Sequence, residues 1–218
     1  CAGDCGEQLD VFTEGFLGGD APVGSPTERA DIWQTDDKGV TWTNITGGAA
    51  HPFVSGEDVK AVACTALDRS TTRWFAAREI VVGEKLKIAY SDNSGATWTL
   101  VTITESINGE GTADADALFV LDRDHLWIAS TEGAVYFSSD AGVTWAEQTG
   151  AQTASASESL NAIKFVDTLV GYAAGENGAL IKTTDGGETW EAVTEPSSNH
   201  LTALHVFTAF RLIVGTAV

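Results

Sequence analysis

Four copies of one eight-residue pattern constrain this chain more than any other feature. They are Thr35–Trp42 (TDDKGVTW), Ser91–Trp98 (SDNSGATW), Ser138–Trp145 (SSDAGVTW) and Thr183–Trp190 (TTDGGETW). The consensus is [ST]-x-[DN]-x-G-x-T-W, and the closing tryptophans lie 56, 47 and 45 residues apart. A near-constant period of this kind marks one supersecondary unit repeated along the chain. Such a unit buries its apolar face only by packing on its neighbours.

The pattern fits the turn of a β-hairpin. Apolar alternation precedes the last copy (Ala179–Thr183) and follows it (Thr189–Val193), the period expected of half-buried strands. Asp37, Asn93, Asp140 and Asp185 offer acceptors to backbone N–H groups two or three residues on. Gly39, Gly95, Gly142 and Gly187 can take a positive φ without steric cost. The threonine favours the outgoing strand. Trp42, Trp98, Trp145 and Trp190 are apolar anchors for packing under the hairpin or against a neighbouring sheet. Asn93 keeps the acceptor and loses the charge.

Two strand-like segments precede each of the last three copies: Val59–Cys64 with Thr72–Ala77, Ala115–Val120 with His125–Ser130, and Leu160–Val166 with Gly171–Gly175. With the hairpin, each repeat offers four short strands, and a four-stranded repeat of about 45 residues is a propeller blade. No segment has a sustained helical period. The sequence therefore predicts an all-β chain. It reads as a single β-propeller domain over residues 1–218, with repeats at about 8–50, 59–103, 115–150 and 160–195 and a partial one at 201–218. A strand, Leu9–Glu14, and an irregular stretch, Gly15–Ala30, lie before the first copy. The tail adds Leu201–Phe207 and Arg211–Gly215. The favoured arrangement joins these tail strands to the N-terminal hairpin in one shared blade, closing a five-bladed ring without exposed sheet edges. The other is a fragment of a larger ring. Met is absent altogether, so the chain reads as processed or as part of a longer one.

Charge narrows the partners. With 31 acidic and 12 basic residues, the net charge is -19. That field repels phosphate backbones and anionic membranes, so no nucleic-acid partner is expected. No apolar run approaches the ~18 residues of a membrane-spanning helix, so no membrane insertion is expected. Cys1 and Cys5 suit a small disulfide loop or two metal ligands. The scattered His51, His125, His200 and His205 make metal the weaker reading, and no metal or cofactor is expected. Cys64, inside an apolar strand, reads as a small buried hydrophobe.

The boxes resemble the Asp-box (BNR) repeat found in sialidases, sortilin-type receptors, some glycoside hydrolases and photosystem II assembly factors. The resemblance covers residues 31–218. The run from Leu160–Asp167 through Val170–Gly175 to Thr184–Trp190 is most similar to the assembly-factor type. The early cysteine pair and the repeat spacings also resemble repeat proteins carried on tailed-phage virions. The resemblance implies a propeller and leaves the function open, because one fold hosts many functions. A sialidase needs an arginine triad, a tyrosine nucleophile paired with glutamate, and a general acid. Here the family's Arg-Ile-Pro signature is missing. Arg69, Arg73 and Arg78 crowd one repeat, leaving only Arg29, Arg123 and Arg211. Of three tyrosines, Tyr90 and Tyr136 sit on hairpin strands, leaving Tyr172.

Glycoside hydrolysis by other routes needs two facing carboxylates. Asp114 with Asp116 and Asp122 with Asp124 are the tempting pairs, and solvated loops are the preferred reading of both. The segment Glu110–Asp116 lacks the ligand spacing of a calcium loop. An active site breaks repeat symmetry, whereas a turn cap obeys it. Asp37, Asp140 and Asp185 therefore read as structural. Trp33, Trp74 and Trp127 read as buried beside apolar neighbours, with carbohydrate stacking as the competing role.

The expectation is a non-enzymatic protein-interaction or structural module. Its partners would be other protein subunits of an assembly, further copies of itself included, on a virion surface or elsewhere outside the cytoplasm. The competing reading is a glycan-binding or glycoside-hydrolysing propeller. Arg69, Arg73 and Arg78 are the candidate contact residues. The segments Leu17–Glu28, Gly47–Glu57 and Gln152–Glu158 are the candidate loops, since function concentrates on loops of rigid scaffolds.

Overall fold

A computed structural model describes residues 15–18, 31–35, 39–45, 59–64, 74–78, 86–93, 95–103, 114–194, 198–209 and 211–216. These fold into five antiparallel sheets, each made from consecutive strands. The first sheet holds β1 (Gly15–Gly18), β2 (Ile32–Thr35) and β3 (Thr43–Asn44). The second holds β4 (Val59–Cys64), β5 (Trp74–Arg78), β6 (Lys87–Ser91) and β7 (Thr99–Thr102). The third holds β8 (Ala115–Val120), β9 (Leu126–Ser130), β10 (Val135–Ser138) and β11 (Ala146–Glu147). The fourth holds β12 (Leu160–Phe165), β13 (Gly171–Gly175), β14 (Leu180–Thr183) and β15 (Glu191–Ala192). The last pairs β16 (Leu201–Thr208) with β17 (Arg211–Thr216).

The leading strands pack in sequence, β4 on β8, β8 on β12 and β12 on β16. Successive sheets therefore stand face to face, in the manner of propeller blades. Both faces of a middle blade are buried, so its strands read as nearly continuous apolar runs. Along β9 the pleat sends Leu126 and Ile128 toward the second blade and Trp127 and Ala129 toward the fourth. Trp127 is fully buried and lies face to face with Phe165, their ring centroids 3.7 Å apart. Phe137 adds a contact at 5.0 Å to Trp127, and Trp190 meets Phe165 edge-on at 5.9 Å. The indole N–H of Trp127 finds no protein acceptor.

Each leading strand carries a register shift at the same place, between Val59 and Ala61, Ala115 and Ala117, Leu160 and Ala162, and Leu201 and Ala203. A bulge sharpens twist and re-aims the extra side chain. Two of these side chains reach the next blade. Asp116 accepts from the Ser159 hydroxyl at 2.8 Å, and the Asn161 amide donates to the Leu201 carbonyl at 3.1 Å. Asp116 is thus an inter-blade tie and not half of a solvated pair with Asp114.

Three expectations need correction. The strand β1 lies inside the stretch read as irregular, Gly15–Ala30. The tail does not share a blade with the N-terminal hairpin. In the second to fourth blades the eight-residue turn joins the third and fourth strands, so β1 fills the second position of the first sheet, the place β17 would need. The pair β16–β17 instead packs on the fourth blade through Leu201 and Leu204, as the inner half of a further blade. The segment Gln152–Glu158 is not simply an exposed loop. It continues a short helix, Ala151–Ala154, and Ser155 is buried with its hydroxyl on the Gly133 carbonyl at 3.2 Å. Leu9–Glu14 and Gly47–Glu57 lie outside the described residues.

Trp127→Ala should cost about 3–5 kcal/mol, since it empties a large buried site. Urea unfolding checks this; a loss below about 1 kcal/mol would show that the Trp127–Phe165 stack is not the centre of this core.

Candidate functional site

The eight-residue turns are small hydrogen-bond machines built on their first residue. The hydroxyl of Thr35, Ser91, Ser138 or Thr183 accepts the N–H of Gly39, Gly95, Gly142 or Gly187 at 2.8–2.9 Å. Those four glycines have φ of +77° to +96°, which a side chain would oppose. In the three turns whose third residue is described, the first hydroxyl also donates to that residue at 2.7–3.0 Å. The same oxygen accepts the threonine N–H four residues on, at 2.8–2.9 Å. The acceptor thus reaches further than the two or three residues expected, although Asp140 also takes the Val143 N–H at 3.1 Å. The second oxygen of Asp140 and of Asp185 accepts the Thr144 and Thr189 hydroxyls, both at 2.5 Å. Asn93 reverses this last bond, its amide donating to the Thr97 hydroxyl at 2.7 Å.

These bonds favour the ionised carboxylate. The Thr189 hydroxyl, the Thr189 N–H and the Thr183 hydroxyl pull Asp185 from 3.8 down to about 2. Partial burial raises Asp140, but bonds from Thr144 and Ser138 outweigh it and leave its carboxyl lowered.

The tryptophans that close the turns pack backward, onto the preceding blade. Trp98 lies against Ile32 and Ile45, Trp145 joins a cluster with Leu86 and Ile103, and Trp190 joins one with Ala151 and Trp127. Trp42 has no earlier blade among the described residues and is 38% exposed; Trp33 is 39% exposed. Burial was the expectation for both, and the structure overturns it. Trp127 is buried as expected.

A second carboxylate recurs in the turn between the first and second strands of a blade. One oxygen of Asp122 accepts the N–H groups of Asp124 and His125 at 2.9 and 3.0 Å. Asp167 does the same for Leu169 and Val170, both at 2.8 Å. Asp122 is therefore a turn cap, which removes the pairing with Asp124 considered from the sequence. Its turn differs from the later one in holding an imidazole where the fourth blade has Val170. The Nδ1 of His125 lies 2.8 and 2.9 Å from the two Asp122 oxygens. The ring stacks beside Phe137 and Trp127, centroids 6.1 and 6.4 Å away. Burial opposes ionisation of Asp122, and the His125 hydrogen bond overcomes it, so this carboxyl is also lowered.

His125 opens onto a cleft of about 410 Å³ between the third and fourth blades. The third blade contributes Phe137 and the segment Glu147–Thr149; the fourth contributes Thr168, Leu169 and the segment Asp185–Glu188. Gln148 ties the two walls together. Its amide donates to the Gly186 carbonyl at 2.7 Å, and its oxygen accepts from the Trp190 indole at 3.2 Å. A Cβ on Gly187 would fall 2.0 Å from the Gln148 amide, so only glycine admits this contact. Leu169 is 56% exposed at the rim.

This cleft is where the repeat is broken. By position in the turns, Gln148 replaces Val101, Glu147 replaces Leu100, Glu188 replaces Val143, Leu169 replaces Asp124 and Thr168 replaces Arg123 of the preceding blade pair. Sequence reasoning missed these residues although the departures were visible in the aligned repeats. Glu147, Gln148 and Glu188 fall two or three places from the closing tryptophans, where the pattern reads as turn and nothing more, and Thr168 and Leu169 follow Asp167 outside the pattern. Of the residues singled out beforehand, Asn93, Asp140 and Asp185 sit in turns, separated from one another by whole blades. Arg78 ends β5, and its side chain is not described. Asp37, Arg69, Arg73, Cys1 and Cys5 lie outside the described residues.

Asp185→Ala should destabilise by about 1 kcal/mol through loss of the turn acceptor. The folded carboxyl is shifted below its unfolded value, so its stabilisation is full above about pH 4 and fades as pH falls toward 2. Thermal melting of wild type and variant should therefore converge between pH 4 and 2.5. A gap that ignores pH would show that the carboxylate is not the cap.

Comparison with known proteins places this geometry. No curated protein matches the chain in sequence. Among solved structures, YCF48 bound to D1 peptide superposes with a TM-score of 0.57 at 15% identity, over 85% of this chain and 57% of that one. The GH74 xyloglucanase from Xanthomonas campestris gives 0.61 at 16% identity, over 88% and 34%. The intramolecular trans-sialidase from Ruminococcus gnavus, in complex with oseltamivir carboxylate, gives 0.50 at 17% identity, over 82% and 43%. At such identities the likeness is one of fold, and this chain spans less than two thirds of each of these structures. Residues 36–202, most of the chain, match the family model described as the DUF6242 beta propeller domain, and the chain belongs to that family.

Proposed function

We propose that this chain is a non-catalytic protein-interaction module, an Asp-box propeller that docks a partner protein on the surface between its blades. One observation carries the reading. Carboxylates that obey the repeat are held as turn acceptors, while the residues that depart from it gather around an open inter-blade cleft. A rigid scaffold with local exceptions is how many folds carry binding sites. YCF48, which shares the fold, is known as a complex with a D1 peptide, and that supports a protein partner here.

The partners we propose are other subunits of an assembly, further copies of this chain among them. The setting is a virion surface or another extracytoplasmic structure. A net charge of -19 suits an exposed module, because it favours solubility and discourages anionic contacts.

A second reading, glycan binding, draws on Trp33 and Trp42. Exposed indole faces suit stacking on sugar rings, and both side chains are more than a third exposed. The xyloglucanase and the trans-sialidase share the fold.

A glycan array and a screen of fluorogenic glycosides separate the two. We expect no turnover and no array binding. Turnover abolished by replacing one carboxylate outside the eight-residue turns would overturn the module reading; array binding lost in Trp33→Ala or Trp42→Ala would establish the second.

A further inference from the structure

We infer that the cleft between the third and fourth blades binds a basic side chain, arginine or lysine, from an extended segment of a partner protein, with an adjacent apolar residue seated on Leu169. The inference deepens the module reading and rests on it. Its size comes first: about 410 Å³ is room for one or two side chains, within the range of sites that take small groups.

Charge selects the group. Glu147, Asp185 and Glu188 contribute carboxylates to the lining, and no lysine or arginine is among the lining residues. Asp185 stays ionised far below neutral pH because its turn hydrogen bonds hold it so. The other titratable group at the cleft, His125, has Nδ1 against the Asp122 carboxylate.

Shape selects the neighbour. A basic side chain has an apolar stem, and Phe137 and the exposed Leu169 offer it apolar surface. Gly186 and Gly187, with φ of +77° and +96°, put bare backbone in the wall and allow close approach.

The repeat supplies an internal control. At the corresponding positions between the second and third blades stand Leu100 in place of Glu147, Val143 in place of Glu188, Arg123 in place of Thr168, and Asp124 in place of Leu169. That surface loses two of the carboxylates, gains a cation with a carboxylate (Asp124) beside it, and lacks the apolar rim residue. The fold alone therefore does not create the acidic cleft; particular substitutions do.

Selection of displayed short random peptides on the 218-residue chain tests the inference, with Glu188→Lys and Leu169→Ala as comparison targets. Both side chains are exposed, so both variants should melt with the wild type. The expected peptides carry arginine or lysine beside an apolar residue. They should bind Glu188→Lys about tenfold more weakly, bind Leu169→Ala more weakly, and lose affinity as salt rises. Peptides that bind all three proteins equally, or that lack basic residues, overturn the cleft assignment and leave the module reading standing. Failure to enrich any peptide also overturns the assignment. Glycan-array binding with no peptide enrichment overturns the module reading as well.

Discussion

Face-to-face packing of successive sheets is the constraint on which everything else in this molecule depends. A four-stranded antiparallel sheet has two faces, and a chain with 43% hydrophobic residues must cover both. Here the second, third and fourth blades each bury one face on the sheet before and the other on the sheet after. Trp127 and Leu126, adjacent in sequence, belong to different cores for this reason. The closing tryptophan of each eight-residue turn follows the same rule by packing backward. Its burial depends on having a predecessor, and Trp42, with no earlier blade among the described residues, is left 38% exposed.

The turns hold the hairpins that this packing needs. Their first hydroxyl is buried, and it satisfies itself by accepting from the glycine and donating to the third residue. That arrangement satisfies the buried hydroxyl, which would otherwise be costly. It also explains why asparagine serves in the second copy: the acceptor oxygen carries the backbone bond, and the charge is dispensable to the geometry.

The strands were legible because period-two alternation and a glycine-bearing turn are both local properties. Ala115–Val120, Gly171–Gly175 and Val59–Cys64 fall where alternation places them. What stayed hidden depends on neighbours distant in sequence. The four-residue reach of Asp185 comes from the three-dimensional turn, and the exposure of Trp33 from which sheets stand beside it. The strand Gly15–Gly18 has glycine at both ends, which propensity assigns to turns; pairing with β2 overrides that preference. The cleft was half legible. Repeat alignment exposes Gln148 and Glu188 as exceptions, but only the fold shows that they face one another across two blades.

The bulged residues Asp116 and Asn161 have a consequence for how the molecule comes apart. Each ties its blade to the next, so cooperativity is passed from neighbour to neighbour. The third and fourth blades have partners on both sides, whereas the pair β16–β17 is held through the fourth blade. Amide exchange should accordingly be slowest around Trp127 and Ile181, which are fully buried between two blades. The acidic cleft lies between those two slowest-opening blades, so its walls are among the last surfaces that thermal fluctuation would separate.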